Sequence, residues 1–194
     1  MLDIEEILGK EMVSSDAKVV GYVEGVDLDR DKWKVPSLRI TINKGLEAQL
    51  NKKKKVLGAS HAHIKIEAVH HISDLVTLNL TMDQIAQAVL EESDVPVSVG
   101  DVVGKRVICR KGREIGVLTD FKVDASTEWS VPSFDVKLDK ATRKDLDLKK
   151  SMMVSKSVIR MRTADIMNVG DMIMLKIDLE SVKDYLQNKP VARV

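Results

Sequence analysis

The sequence predicts a mainly β protein made of two similar small β-barrels, each with a short terminal helix. The stretch WKVPSLRITINK at residues 33–44 returns as WSVPSFDVKLDK at residues 129–140. The two stretches share Trp, Val, Pro, Ser and Lys at identical spacing, and apolar residues alternate in both. A period near 95 residues is too long for a solenoid unit of roughly 20–50 residues. It therefore indicates two copies of one small domain.

The correspondence runs through most of the chain in the same order. Gly9-Lys10 corresponds to Gly104-Lys105 at an offset of 95 residues, and ISDLVTLNL at 72–80 corresponds to VGDMIMLKI at 169–177 at an offset of 97. This predicts one domain at residues 1–92, a linker at residues 93–101 and a second domain at residues 102–194.

The first long strand of each copy is predicted from the segments KVVGYVEGVDLD and REIGVLTDFKVD. Both are rich in branched residues and partly alternate between apolar and polar. A glycine inside a strand removes side-chain packing and permits a bulge or sharp bend. We therefore expect both strands to bend at the same place, Gly21 and Gly116, as the corners of small barrels require.

The repeated W-x-V-P-S block leads into the next strand of each copy. Proline has no N–H to donate, so Pro36 and Pro132 are expected at strand starts. Trp33 and Trp129 precede them and are expected to occupy equivalent places, each covering one end of a core.

The remainder of each copy is predicted as a short helical turn, two short strands and a helix. The strands are expected at residues 63–67 and 75–80 in the first copy and at residues 158–162 and 172–177 in the second. Thr81-Met-Asp-Gln84 is a capping-box pattern, which predicts a helix start. In the second copy Asp178 is the predicted cap, and Pro190 ends the helix. Five or six strands with a terminal helix favour a small barrel with closed edges.

Composition is that of an ordinary globular protein, with 194 residues, 44% hydrophobic and 31% charged. No apolar run approaches the roughly 18 residues of a membrane span. The N-terminus has neither the basic flank nor the long apolar region of a secretory signal. Cys109 is the only cysteine, so an intrachain disulfide is impossible. These features predict a cytoplasmic location without direct membrane insertion.

Charge is divided unevenly along the chain. Residues 1–95 carry a net charge of −4 and residues 96–194 a net charge of +5. Opposite charges favour docking of one half on the other, within a chain or between chains, although a chance imbalance is an equal alternative. A closed pseudo-dimer, a dimer and a filament therefore all stay open. The sequence pI of about 7.8 does not favour nucleic-acid binding.

Metal and catalytic chemistry are not favoured. His61, His63, His70 and His71 are clustered, and the first two share a strand face, but no cysteine or clear supporting carboxylate completes a metal site. Structural or solvent-facing histidines are the better interpretation. No phosphate loop, nucleophile elbow or paired-carboxylate motif is present. The sequence thus predicts a non-enzyme with no metal and no cofactor.

The acidic residues of the first long strand begin like a calcium loop. Asp27, Asp29 and Asp31 have the right spacing, but Lys32 replaces the required glycine and Leu38 stands where the bidentate Glu belongs. We interpret the three as the solvent side of a strand end.

Two surfaces are candidate contacts. The basic runs Lys52–Lys55 and Lys149–Lys150 suit phosphates or an acidic partner, but no aromatic residues interleave with them for base stacking, so RNA is the less favoured partner.

Methionine packs cores by default and also forms adaptable binding surfaces. The second candidate surface combines a Met-rich strand and the terminal helix of the second copy. Its residues are Met172, Met174, Val182 and Tyr185.

These motifs resemble the PRC-barrel family. The resemblance rests on the opening Gly-Lys and x-x-G-x-V strand, and on the closing I/V-x-D-x-V/I-x-L at Ile72–Leu78 and Val169–Leu175. The W-x-V-P-S block and the later L-x-x-K-K are most similar to the archaeal branch. The likeness covers nearly the whole chain twice. Ala17 and Ser73 depart from it, because the second copy has turn glycines at the matching positions.

The resemblance implies a docking module and not an enzyme. Archaeal PRC-barrel proteins include cell-division factors, so it implies a scaffold that links a SepF-type membrane anchor to the tubulin-like FtsZ ring, recruited to the division site. The alternative is a RimM-like ribosome-assembly factor that binds ribosomal protein or pre-rRNA.

Overall fold

The computed structural model describes residues 1–53, 58–91, 96–146, 148 and 157–186. It divides into two compact units. The first unit comprises residues 1–100 together with residues 124–130, and the second comprises residues 101–123 and 131–194. Outside the described residues lie Lys54 and Lys55 of the first basic run, the whole of the second run Lys149–Lys150, part of the predicted linker, and Pro190.

The first unit is built around a mixed β-sheet. Its described strands are β1 Leu2–Asp3, β2 Glu11–Val13, β3 Val19–Leu28, β4 Ser37–Ile42, β5 His61–Lys65, β6 Val69–Ile72, β7 Val76–Leu78 and β8 Val97–Ser98. The main sheet runs in the order β5-β4-β3-β2-β7-β6, and β8 pairs with β3. Strands β2 and β7 are parallel, while the other neighbours are antiparallel.

The second unit has the equivalent sheet. Its described strands are β9 Arg106–Ile108, β10 Glu114–Asp124, β11 Ser130–Leu138, β12 Val158–Arg162, β13 Ile166–Val169 and β14 Ile173–Leu175. Their order is β12-β11-β10-β9-β14-β13, with β9 and β14 parallel. This order matches that of the first unit strand for strand, as the duplication predicts.

The sheets do not close in the part of the chain that the structure describes. Each strand order ends at two edges, β5 and β6 in the first unit and β12 and β13 in the second. The chain is therefore mainly β with two mixed sheets, and the expected closed edges are not seen. Sequence patterns also missed β6 and β13, because these four-residue strands expose their two middle residues and carry little apolar alternation.

Helices are few and short among the described residues. Helix α1 spans Lys140–Asp145, and helix α2 spans Leu179–Leu186. Single 3-10 turns occupy Ile4–Glu6, Ile66–Ala68, Val99–Asp101 and Thr163–Asp165. A longer 3-10 helix spans Met82–Ala88. No helix in the described ranges has the length and apolar character needed to cross a membrane.

The predicted helix starts are present, although the two copies differ. The Thr81 N–H donates to Gln84 Oε1 at 3.2 Å, which completes the capping box of a 3-10 helix. In the second copy the Ser181 N–H donates to Asp178 Oδ1 at 3.3 Å, ahead of a true α-helix. A helical turn was expected after the long strands of each copy. In the second copy it is α1, which Asp139 caps, and in the first copy it is a series of turns.

Each core lies on the inner face of its sheet. In the first unit Leu38, Ile40 and Ile64 are fully buried, and in the second Phe121 and Phe134 are. The two phenylalanine rings lie 6.3 Å apart between centroids with a tilt of 52°, within the favourable range for aromatic pairs. Alternation along each long strand thus buries one face and leaves the other for polar contacts.

Candidate binding sites

The predicted partner surface of the second copy is distributed over two parts of its unit. Met174 is half-exposed on β14 between buried Ile173 and Leu175, and Met172 is half-exposed just before that strand. Val182 is fully buried, so it anchors α2 in the core. Tyr185 contacts Arg162 at the end of β12, which three strands separate from β14 in the sheet order.

The Tyr185 hydroxyl belongs to a polar cluster. It donates to the Asp165 carboxylate and accepts from Arg162 Nε at 3.0 Å. Arg162 also pairs with Asp165 at 3.2 Å. Burial of the ring, followed by the hydrogen bond to Asp165, raises the pKa of Tyr185 above its ordinary value, although Arg162 opposes the shift. The phenol is therefore neutral and fixed in place at physiological pH.

The two tryptophans share an unusual backbone conformation. Trp33 has φ +50° and Trp129 has φ +55°, and Glu128 before Trp129 has φ +49°. A bulky side chain in the left-handed region is rare and costs roughly 1–3 kcal/mol. Both rings are only half-buried. They occupy equivalent places in the repeat, but each is partly presented to the surface.

Trp129 forms one wall of a groove in the first unit, which we call the Trp129 groove. Residues 124–130 belong to this unit, and the Trp129 carbonyl oxygen accepts from the Val35 N–H at 2.9 Å. The groove has a volume of about 480 Å³. Its apolar surface comes from Val35, Pro36, Ile66, Val69 and Trp129.

Charged side chains border the Trp129 groove. Lys32 pairs with Asp29 at 3.8 Å, and Lys34 pairs with Glu128. The hydrogen bond from Lys34 lowers the pKa of the exposed Glu128 carboxyl below its ordinary value. Glu67 completes the border. Ligand sites commonly have this form, with apolar walls of roughly 300–1,000 Å³ and a few polar groups that fix orientation.

The repeated W-x-V-P-S block was a sequence signal for the Trp129 groove. The W-x-V-P-S block supplies Val35 and Pro36 from its first copy and Trp129 from its second. We expected these residues only to build strands and cover cores. Their meeting in one unit depends on where residues 124–130 lie, which periodicity does not reveal.

Two histidines lie in polar ladders across β3, β4 and β5. His63 Nδ1 lies 2.6 Å from Asp27 Oδ2, and the Ser37 hydroxyl donates to the same oxygen at 2.5 Å. His61 Nδ1 lies 2.6 Å from Glu24 Oε2. Asp27 is 1% exposed, so it is not on the solvent side of a strand end as we expected. The His63 contact assigns that residue a structural role in pairing the strands, whereas His61 Nδ1 approaches Glu24 without the geometry of a hydrogen bond.

Metal-binding and nucleophilic groups are not assembled in the described ranges. No group of three or more His, Cys, Asp or Glu side chains there is arranged to hold a metal ion. Asp29 instead accepts from the N–H groups of Asp31 and Lys32, at 3.0 and 3.1 Å, in a tight turn. Burial, together with the nearby Asp178, raises the pKa of the Cys109 thiol to about 11, so it is not an activated nucleophile.

Comparison with known proteins gives no family assignment. No protein-family profile matches the chain, and no curated protein matches it. Among solved structures, a putative 16S ribosomal RNA processing protein RimM from Pseudomonas aeruginosa shares 10% identity, with a TM-score of 0.31. The match covers 90% of this chain and 98% of that one. A likeness at this level carries no argument about fold or function.

Proposed function

We propose that this chain is a non-enzymatic adaptor, formed from two units of the PRC-barrel type, that binds a protein partner in the Trp129 groove. The observation that carries the proposal is a half-exposed tryptophan held over an apolar groove with a charged border. Protein interfaces are enriched in aromatic residues at their centre and are polar at their rim. The strained backbone at residues 128–129 agrees with this, because strain is often retained at functional sites.

The chemistry of the groove supports binding and not catalysis. Among the residues lining it there is no serine, cysteine or histidine, and two of its three carboxylates, Asp29 and Glu128, are already paired with lysines. The third, Glu67, is exposed at the border. A general base or nucleophile needs a free, suitably placed group. The side chains that line the groove therefore fit a cytoplasmic adaptor better than an enzyme.

Substitution of the groove tryptophan tests the proposal. Trp129→Ala removes one wall, and a hot-spot tryptophan contributes about 2 kcal/mol or more, so we expect partner affinity to fall roughly 30-fold. Trp33→Ala is the matched control, because Trp33 has the same backbone conformation and does not line the groove. Equal capture of the partner by both variants, with both folded, would refute the groove as the binding site.

Two partner classes follow from the sequence resemblance. The W-x-V-P-S and L-x-x-K-K motifs favour a SepF-type division protein. The comparisons do not support a division role. The name of the structural neighbour fits the ribosome-assembly alternative, but the likeness is too weak to support that alternative either. For the alternative, the described start of the basic run is accessible, with Lys52 half-exposed and Lys53 exposed.

Affinity purification of the tagged chain from its own cells separates these classes. Recovery of a SepF-type protein without rRNA would establish the division role. Recovery of pre-ribosomal particles that is lost at high salt would establish the ribosomal role, since phosphate contacts are salt-dependent. In either case, the Trp129→Ala and Trp33→Ala variants then show whether the Trp129 groove makes the contact.

A further inference from the structure

The duplication makes it possible to compare each position of one unit with its counterpart in the other. From β5 to the terminal helix the offset is constant at 97 residues: β5 starts at 61 and β12 at 158, β7 at 76 and β14 at 173, and the helices at 82 and 179. Strand register agrees, because Leu38 pairs with Ile64 as Phe134 pairs with Met161. Positions in this region can therefore be matched in sequence, and the strands match in register, whereas the terminal helix is 3-10 in the first unit and α in the second.

The Tyr185 cluster of the second unit has a reduced counterpart in the first. Lys65 occupies the place of Arg162, Ala68 that of Asp165, and Ala88 that of Tyr185. The helix face is retained, since Ile85 and Val182 are equivalent and both are fully buried. The first unit has thus kept the surrounding elements while lacking the aromatic ring and its carboxylate partner.

A shallow pocket of about 280 Å³, largely open to solvent, lies at this place in the first unit, and we call it the Ala88 cavity. Ala68, Leu80 and Ala88 provide its apolar surface. Its polar lining comes from Lys65, Glu67, Asn79 and Gln87. None of these lining side chains is aromatic. The volume lies just below the roughly 300–1,000 Å³ of small-molecule sites, so it suits a single ring better than a whole cofactor.

Polar groups line the Ala88 cavity, although only the cation keeps its position. Lys65 stands where Arg162 donates to the Tyr185 hydroxyl. The carboxylate in the lining is that of Glu67, which is exposed and lies one residue before the position of Asp165. Asn79 is held in place, because its Nδ2 donates to the Glu67 carbonyl oxygen at 3.0 Å. The cavity thus offers apolar walls together with a donor and an acceptor, the combination that a buried tyrosine requires.

We propose that the Ala88 cavity binds a tyrosine side chain presented by a protein partner. The second unit shows the occupant directly, since its own Tyr185 fills the equivalent place against the same elements. In the first unit the ring comes from another chain, with its edge against Ala68 and Ala88 and its hydroxyl toward Lys65. This site shares Glu67 with the border of the Trp129 groove, but its other lining residues are different, and it does not require that the groove bind anything.

The test uses p-cresol, the side chain of tyrosine as a free molecule, and the full chain with isotope-labelled alanine methyl groups. Saturable NMR shifts of the Ala68 and Ala88 methyls on adding p-cresol are expected. Toluene, which lacks the hydroxyl, should bind about fivefold more weakly, as the loss of one hydrogen bond implies. No shift of these methyls, or toluene binding as tightly as p-cresol, would overturn the proposal.

Variants that fill the cavity provide the control. Ala68→Asp with Ala88→Tyr places the second unit's ring and carboxylate in the first. Because this variant removes both labelled alanines, the Leu80 methyl groups are labelled as well, and we expect their p-cresol shifts to disappear. Ala88→Leu fills the same space with an uncharged side chain, and it replaces the double variant as the control if that variant does not fold. Undiminished p-cresol shifts around the cavity in a folded, filled variant would show non-specific binding and refute the site.

Discussion

At the scale of single residues, Gly21 and Gly116 show why a small side chain is required inside a long strand. A Cβ at Gly21 would lie 2.1 Å from the Thr41 carbonyl oxygen, and a Cβ at Gly116 would lie 2.1 Å from the Lys137 carbonyl oxygen. Strand register also shifts beside both glycines. The neighbouring backbone therefore approaches so closely that only glycine fits.

Alanine at either glycine should destabilise the protein. We expect Gly21→Ala and Gly116→Ala each to lower the free energy of unfolding by about 3 kcal/mol, the upper end for overpacking, because a backbone oxygen cannot move aside as a side chain can. Urea denaturation measures the effect. Gly170→Ala is the control: a Cβ there meets nothing within 4 Å, so its effect should be small. Similar stabilities for all three variants would contradict this account.

At the scale of elements, three strands of the second unit are joined by a buried charge cluster. Lys122 on β10 pairs with Asp135 on β11 at 3.1 Å, and Arg160 on β12 donates to Asp135 at 2.9 Å. Lys122 also pairs with Asp120 at 2.8 Å and is 3% exposed. Burial alone would raise the pKa of Asp135, but the bonds from Arg160 and Lys122 outweigh it and lower the pKa.

Removing the Asp135 charge should leave Lys122 poorly compensated. We expect Asp135→Asn to lower the free energy of unfolding at pH 7 by about 3 kcal/mol, the low end for breaking a buried pair, because Asp120 remains. Arg160→Ala is the control and should cost less than about 1 kcal/mol, since its side chain is 52% exposed.

The same variant has a defined pH dependence. Because the folded pKa of Asp135 lies below the unfolded value of about 3.9, its contribution is fully present above about pH 4. That contribution is lost as the pH falls through the folded pKa. The stability difference between wild type and Asp135→Asn, measured by urea denaturation across this range, should therefore shrink in acid. A difference that stays constant from pH 7 into the acid range would rule out the proposed charge pairing.

Two equivalent positions carry opposite charges in the two units, since Asp27 occupies the place of Lys122 and Arg39 that of Asp135. His63 occupies the place of Arg160. In the first unit the buried acid is held by His63 and Ser37 instead of by two cations. Buried polar contacts thus support strand pairing in both units. At two of the equivalent positions the side chains carry opposite charges.

At the scale of the whole molecule, the sequence predicts electrostatic association. Net charges of −4 and +5 in the two halves of the chain favour contact between the halves, within a chain or between chains, and contact between chains makes association depend on concentration. We expect the sedimentation coefficient to rise with protein concentration at low ionic strength and to lose that dependence at high salt, where the Debye length falls to about 3 Å at 1 M. A sedimentation coefficient independent of concentration at low salt would contradict self-association through charge.

Sequence alone determined the repeated architecture of this protein. The W-x-V-P-S block, the paired glycines and the shifting offset of 95 to 97 residues identified two copies of one β unit, and the structure shows the same strand order in both. The capping pattern at Thr81 and Gln84 also located a helix start correctly. These features are local, because a turn, a cap or a close approach demands a particular residue at a particular place.

Tertiary structure decided where binding surfaces form and which charges are buried. Periodicity shows which residues share a face but not which distant segment covers that face. The sequence therefore could not show that Asp27 is buried against His63, that Val182 lies in the core, or that Trp129 borders Val35. The Ala88 cavity was equally hidden, because its lining comes from residues 65–68, 79–80 and 87–88, which only the folded chain brings together. Contacts between residues far apart in the chain depend on the path of the folded backbone, which local patterns do not encode.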